Sequence, residues 1–72
     1  MSDDLINMLI TIRAMGVAKV NVNPGSVMSK HNGIVYPVDD MRVRGDVAQV
    51  SLNINGTVTD FTHEEVVPEY AD

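Results

Sequence analysis

The chain has 72 residues, of which 44% are hydrophobic and 4% aromatic, and its five Lys and Arg against ten Asp and Glu give a formal net charge of −5. This length predicts one domain, residues 1–72, with a core of aliphatic residues and methionine. The absence of cysteine excludes disulfides and thiol chemistry, and the lack of a basic leader or a long apolar run predicts a cytoplasmic protein without a membrane partner.

The charges are segregated along the chain. All five cations lie between residues 13 and 44, and six acids but no Lys or Arg follow Arg44. Such a distribution predicts one weakly basic and one strongly acidic surface. Five dispersed cations in an acidic protein are a poor match to a phosphate backbone, so direct nucleic-acid binding is not expected.

A helix is predicted over residues 3–15. Ser2 is suited to the N-cap, Asp3 and Asp4 stabilise the first turn through the helix dipole, and Gly16 can end the helix.

The apolar surface of this helix is unusually wide. Its large apolar side chains cover an arc of about 220°, whereas packing on one sheet needs a stripe of little more than about 100°. They are Leu5, Ile6, Met8, Leu9, Ile10, Ile12 and Met15. We therefore predict that the surplus, with Ile6, Ile10 and Met15 as candidates, mediates self-association and that the protein is a homo-oligomer.

Short strands are predicted after the helix. Residues 18–23 alternate apolar and polar side chains, and Pro24-Gly25 ends that run in a turn. The pattern is weaker over 27–38, where Asn32-Gly33 predicts a turn and Pro37 restricts the following run to an edge or a bulge. A short strand or an extended link is expected over 41–44.

The strongest strand signal lies between Val47 and Phe61. Two alternating runs flank Asn55-Gly56, a sequence that favours a type I′ turn. A two-residue turn pairs Val50 with Phe61, Leu52 with Thr59, and Ile54 with Thr57, which places apolar residues on one face.

The end of the chain is predicted to contain a single helical turn. Thr62 and Glu65 have the spacing of a capping box, and Pro68 limits the helix. Residues 69–72 are expected to form an acidic tail. The fold class predicted is α+β, an N-terminal helix packed on an antiparallel sheet of four to five short strands.

No arrangement of residues indicates catalysis. His31 and His63 are the only bases of the usual kind, and neither lies in a recognisable nucleophile motif. His63 with Glu64 and Glu65 could contribute to a metal site, but a helix start explains these two acids without a metal. The glycines fall at turns or at the helix end, so no phosphate-binding loop is predicted. We expect a non-enzyme without catalytic residues, metal or cofactor.

Two further surfaces suggest partners. Lys30, Tyr36, Arg42 and Arg44, if they converge, could bind a small anionic, nucleotide-like ligand at an oligomer interface. The acids Asp60, Glu64, Glu65 and Glu69 could dock on a basic protein, or could simply keep the chain soluble.

Three functions follow from these surfaces. The first is a small acidic interaction protein that self-associates through its helix. The alternatives are an oligomeric module that sequesters an anionic ligand, and an acidic inhibitor of a basic host protein, of the kind carried by phages and mobile elements.

Overall fold

The computed structural model of the protein describes residues 3–68 and has an α+β fold, as predicted. The elements, in chain order, are helix α1 (Asp3–Met15), strand β1 (Val17–Val20), a short 3₁₀ helix (Ser29–His31), and strands β2 (Val35–Arg44), β3 (Val47–Ile54), β4 (Thr57–Thr62) and β5 (Val66–Pro68). The five strands form one antiparallel sheet in the order β4-β3-β2-β1-β5. Within residues 3–68, no helix has the length and apolar content needed to span a membrane.

Helix α1 has the predicted bounds. It ends at Gly16, whose φ of +72° is readily adopted only by glycine and whose N–H donates to the carbonyl of Ile12 at 2.8 Å. The helix lies against β1 and β5 and buries Leu9 and Ile12. The predicted N-cap, Ser2, lies outside the described residues.

The β3–β4 hairpin has the predicted register. Val50 pairs with Phe61, Leu52 with Thr59, and Ile54 with Thr57. Asn55 and Gly56 both have positive φ, 54° and 92°, as a type I′ turn requires. Val50, Leu52 and Phe61 are almost fully buried, so turn chemistry and core formation select the same register.

Strand β2 is longer than the sequence predicted, and it contains a bulge. Val38 pairs with Leu52 but Asp40 pairs with Ser51, so Asp39 is the extra residue. The bulge reverses the alternation of side chains, with the result that both Val38 and Met41 lie opposite core residues of β3. Pro37 lies where the pairing of β2 changes from β1 to β3.

The predicted C-terminal helical turn is not confirmed. Glu65 and Thr62 do interact, since the Glu65 Oε1 atom accepts hydrogen bonds from the Thr62 N–H at 3.0 Å and hydroxyl at 3.2 Å. The chain nevertheless forms a turn there and continues as β5, which pairs with β1. The predicted acidic tail, residues 69–72, lies outside the described residues.

The core lies between α1 and one face of the sheet. Its side chains are almost all aliphatic, as the composition indicated. The buried apolar residues are Leu9, Ile12, Ala18, Val20, Val22, Tyr36, Ala48, Val50, Leu52, Ile54, Phe61 and Val66.

Candidate functional site

An apolar groove runs between α1 and the second half of β2. The helix contributes Ile6, Leu9 and Ile10, and the strand contributes Met41 and Val43. The groove has a volume of about 310 Å³. The charged side chain of Arg13 completes its lining.

The groove arises because β2 extends beyond β1. Strand β1 pairs with β2 only over Val35–Pro37, so within residues 3–68 the remainder of β2 has no strand on that side. The bulge at Asp39 then places Met41 and Val43 opposite Val50 and Ala48, on the face that also carries the helix. In the described part of the chain, no helix or strand covers the second half of β2 or the adjacent face of α1.

Some of the surplus apolar side chains that the sequence predicted on the helix lie in this groove. Ile6 and Ile10 are 40% and 60% exposed, and Val43 beside them is 53% exposed. Met15 is also 40% exposed but is about 180° around the helix from Ile6, at about 100° per residue. The structure therefore brings Ile6 and Ile10 together and separates Met15 from them.

Sequence reasoning missed the contribution of Met41 and Val43. Their alternation with Arg42 and Arg44 was visible, but alternation alone does not say which set lies on the helix side. The bulge decides this, because one inserted residue exchanges the two faces of a strand. Pro37 indicated an edge or a bulge in this run, but no glycine marks the position of the bulge, which is Asp39.

The four residues of the predicted anion cluster lie in two places. Tyr36 is buried near the start of β2, and its hydroxyl is 2.8 Å from the Nδ1 atom of His31, the neighbour of Lys30. Arg42 and Arg44 lie in the other half of the strand, and the six residue steps from Tyr36 to Arg42 span about 20 Å in an extended chain. The segment that carries Lys30 thus contacts Tyr36 through His31, but the two arginines are not brought to it.

Arg42 instead has a local partner. Its Nε atom donates to Asp40 Oδ2 at 3.0 Å, and both side chains are largely exposed. An ion pair in this setting contributes little to stability.

The acidic residues also have separate surroundings. Asp60 accepts a hydrogen bond from the Ser51 hydroxyl at 2.6 Å on the sheet face opposite α1. Glu64 is largely exposed in the following turn, whereas the carboxylate of Glu65 is bonded to Thr62. Glu69 lies outside the described residues.

Both histidines make contacts that need no ligand. His31 meets Tyr36 edge to face, with ring centroids 5.6 Å apart. The Nδ1 atom of His63 accepts the N–H of Ala48 at 3.1 Å. Across residues 3–68, no three His, Cys, Asp or Glu side chains are grouped so that they could hold a metal ion.

Comparison of the chain with protein-family models, with curated proteins and with solved structures found no match. A functional conclusion must therefore come from the chain's own residues and geometry.

Proposed function

We propose that the protein is a small non-catalytic interaction protein that self-associates through the groove between α1 and β2. The observation that carries this proposal is the continuous apolar surface formed by Ile6, Ile10, Met41 and Val43. Single exposed apolar residues are ordinary in small proteins, but contiguous apolar grooves mark interaction sites.

A second copy is the occupant that best suits this groove. Domains of this size have little core, and association is one of the few ways to add stability without disulfides or metal. In a symmetric dimer each copy contributes the same surface, so one apolar groove supplies both sides of the interface.

The association is expected to be weak and concentration-dependent. A helix of 13 residues is about 20 Å long, so one face of it offers a contact area at the small end of the range of protein interfaces, where complexes are transient. A dissociation constant in the micromolar range or above is consistent with such an area.

The test is sedimentation velocity from a few micromolar to several hundred micromolar. A single copy has a mass of 7.9 kDa, and we expect the weight-average mass to rise towards twice that value as concentration increases. Ile10→Asp should abolish the rise because it places a carboxylate in the groove. A wild-type protein that stays monomeric at all concentrations would overturn the proposal.

Val58→Asp provides the matched control. Val58 is 51% exposed, close to the 60% of Ile10, but it lies on β4 with its side chain on the face opposite α1. This variant should associate like the wild type. Loss of association in Val58→Asp but not in Ile10→Asp would place the interface on the outer face of the sheet and contradict the groove.

A further inference from the structure

We infer that two copies pair through antiparallel α1 helices, with Ile6 of each copy opposite Ile10 of the other and Asp3 opposite Arg13. This inference rests on the proposed self-association and specifies its partner surface. It is drawn from one stripe of α1, defined by Asp3, Ile6, Ile10 and Arg13.

The stripe lies on one exposed side of the helix. Its residues are spaced by three, four and three positions, so at about 100° per residue they fall within about 80° of one another. All four are exposed. This spacing is that of the contact positions in paired helices.

The order of side chains along the stripe is self-complementary. An acid stands at one end, a base at the other, and two isoleucines lie between them. A twofold axis beside Met8 reverses the order in the second copy, which sets each isoleucine against an isoleucine and each acid against a base. A parallel pair would instead put Asp3 against Asp3 and Arg13 against Arg13.

The groove can accept side chains of a helix that lies along α1. Ile6, Ile10 and Arg13 line it on one side, and Met41 and Val43 form the other wall. A helix that packs 8–10 Å from α1 contacts both walls.

Within one copy, Asp40 lines a small pocket together with Arg13, but both oxygens of its carboxylate already accept hydrogen bonds from other groups. One oxygen accepts the N–H of Met41 at 2.9 Å, and the other accepts the Nε–H of Arg42 at 3.0 Å.

Charge reversal tests this register. In a homodimer of Asp3→Arg the introduced arginine faces Arg13 of the other copy, and in a homodimer of Arg13→Asp the introduced aspartate faces Asp3. Each variant alone should dimerise at least about tenfold more weakly than the wild type at low salt, since both symmetric ion pairs become repulsive. An equimolar mixture of the two should form a one-to-one dimer with close to wild-type affinity. In that heterodimer every contact between stripe ends joins an arginine to an aspartate, whether the helices are antiparallel or parallel.

The direction of the helices is therefore decided by the separate variants. In an antiparallel pair, reversal of one charge turns two attractive contacts into two repulsive ones. In a parallel pair the wild type already sets like charges together at both ends, so reversal would leave the number of repulsive contacts unchanged. Weaker dimerisation of both variants than of the wild type supports the antiparallel register.

The mixture distinguishes the loss of charge contacts between copies from a loss of helix stability within each copy. Reversal of either charge also weakens the helix through its dipole, but this effect is the same in the mixture as in the separate variants. Sedimentation velocity of the mixture, with one variant carrying a fluorescent label, measures the heterodimer directly. Recovery of association in the mixture shows that the loss in each variant comes from charge contacts between copies.

Two outcomes would overturn the inference. If Asp3→Arg and Arg13→Asp each dimerise as the wild type does, the register is wrong while self-association stands. If the wild type dimerises and the mixture fails to recover affinity, charge pairing at the stripe ends is excluded. A monomeric wild type is a different result, because it removes the proposed self-association itself.

Discussion

The side-chain amide of Asn32 hydrogen-bonds both backbone polar groups of Val22. Its Oδ1 atom accepts the Val22 N–H at 2.7 Å, and its Nδ2 atom donates to the Val22 carbonyl at 2.9 Å. Val22 lies two residues beyond the end of β1, so the amide group pairs with the backbone there as a residue of a neighbouring strand would. These two hydrogen bonds connect the two ends of the segment 21–34 and hold Val22 in the core.

Asn32→Asp should destabilise the fold. The substitution keeps an acceptor for the Val22 N–H but replaces the donor by a carboxylate oxygen that faces the Val22 carbonyl. We expect a loss of about 1–3 kcal/mol in the free energy of unfolding, measured by urea denaturation.

Asn53→Asp is the matched control for this change. The Asn53 Oδ1 atom accepts the N–H of Gly56 at 2.7 Å, a role that a carboxylate can fill. This variant should differ from the wild type by less than about 0.5 kcal/mol. Equal losses in the two variants would mean that the donor of Asn32 is not important.

A second prediction concerns the turn that contains Asn32. The Ile34 N–H donates to the His31 carbonyl at 3.1 Å, Asn32 has φ −56° and ψ 135°, and Gly33 has φ +80°, which together define a type II turn. Gly33→Ala should cost about 1–2 kcal/mol, because an L-residue is strained at this φ although the space for a Cβ is open.

Gly25→Ala serves as the comparison for Gly33→Ala. Gly25 also has open space around a built Cβ, but its φ is outside the left-handed region. This substitution should be neutral or stabilise by up to about 1 kcal/mol. For a domain of this size the two variants should melt several degrees apart, and equal melting temperatures would contradict the assigned turn.

The sequence predicted the elements in which local chemistry and apolar periodicity agree. The helix bounds followed from Asp3, Asp4 and Gly16, and the register of the β3–β4 hairpin followed from Asn55-Gly56 together with the alternation around it. In both cases neighbouring residues are sufficient to choose the structure.

Long-range pairing decided the features that were not predicted. The Thr62–Glu65 spacing favours a helix start, but pairing of Val66–Pro68 with β1 makes the next residues a strand. The bulge at Asp39 likewise depends on how β2 matches β3. For the candidate site, Ile6 and Ile10 could be named from periodicity, whereas Met41 and Val43 could not, because their side of the sheet depends on that bulge.

A third prediction concerns His63 and Ala48. The Nδ1 atom of His63 accepts the Ala48 N–H at 3.1 Å, and the backbone N–H of His63 donates to the Ala48 carbonyl at 2.8 Å. Ala48 is only 1% exposed. His63→Ala should therefore leave a buried donor unsatisfied and cost about 1–3 kcal/mol.

His63→Asn should recover part of that loss. The Oδ1 atom of asparagine occupies nearly the position of Nδ1 and can accept the same N–H. Hydrogen exchange at the Ala48 amide, followed by NMR, reports on this contact: exchange should be fastest in His63→Ala and intermediate in His63→Asn. Equal protection of Ala48 in all three proteins would show that the His63 ring does not hold this amide.

The fourth prediction addresses binding of anions. Because Tyr36 and Arg42 are about 20 Å apart along β2, and Arg42 is paired with Asp40, we expect no common site for a nucleotide. Adenosine and guanosine nucleotides should raise the melting temperature no more than sodium chloride of equal ionic strength. A saturable rise that is lost in both Lys30→Ala and Arg42→Ala, but retained in Lys19→Ala, would contradict this expectation and show that the two ends of β2 meet on one ligand.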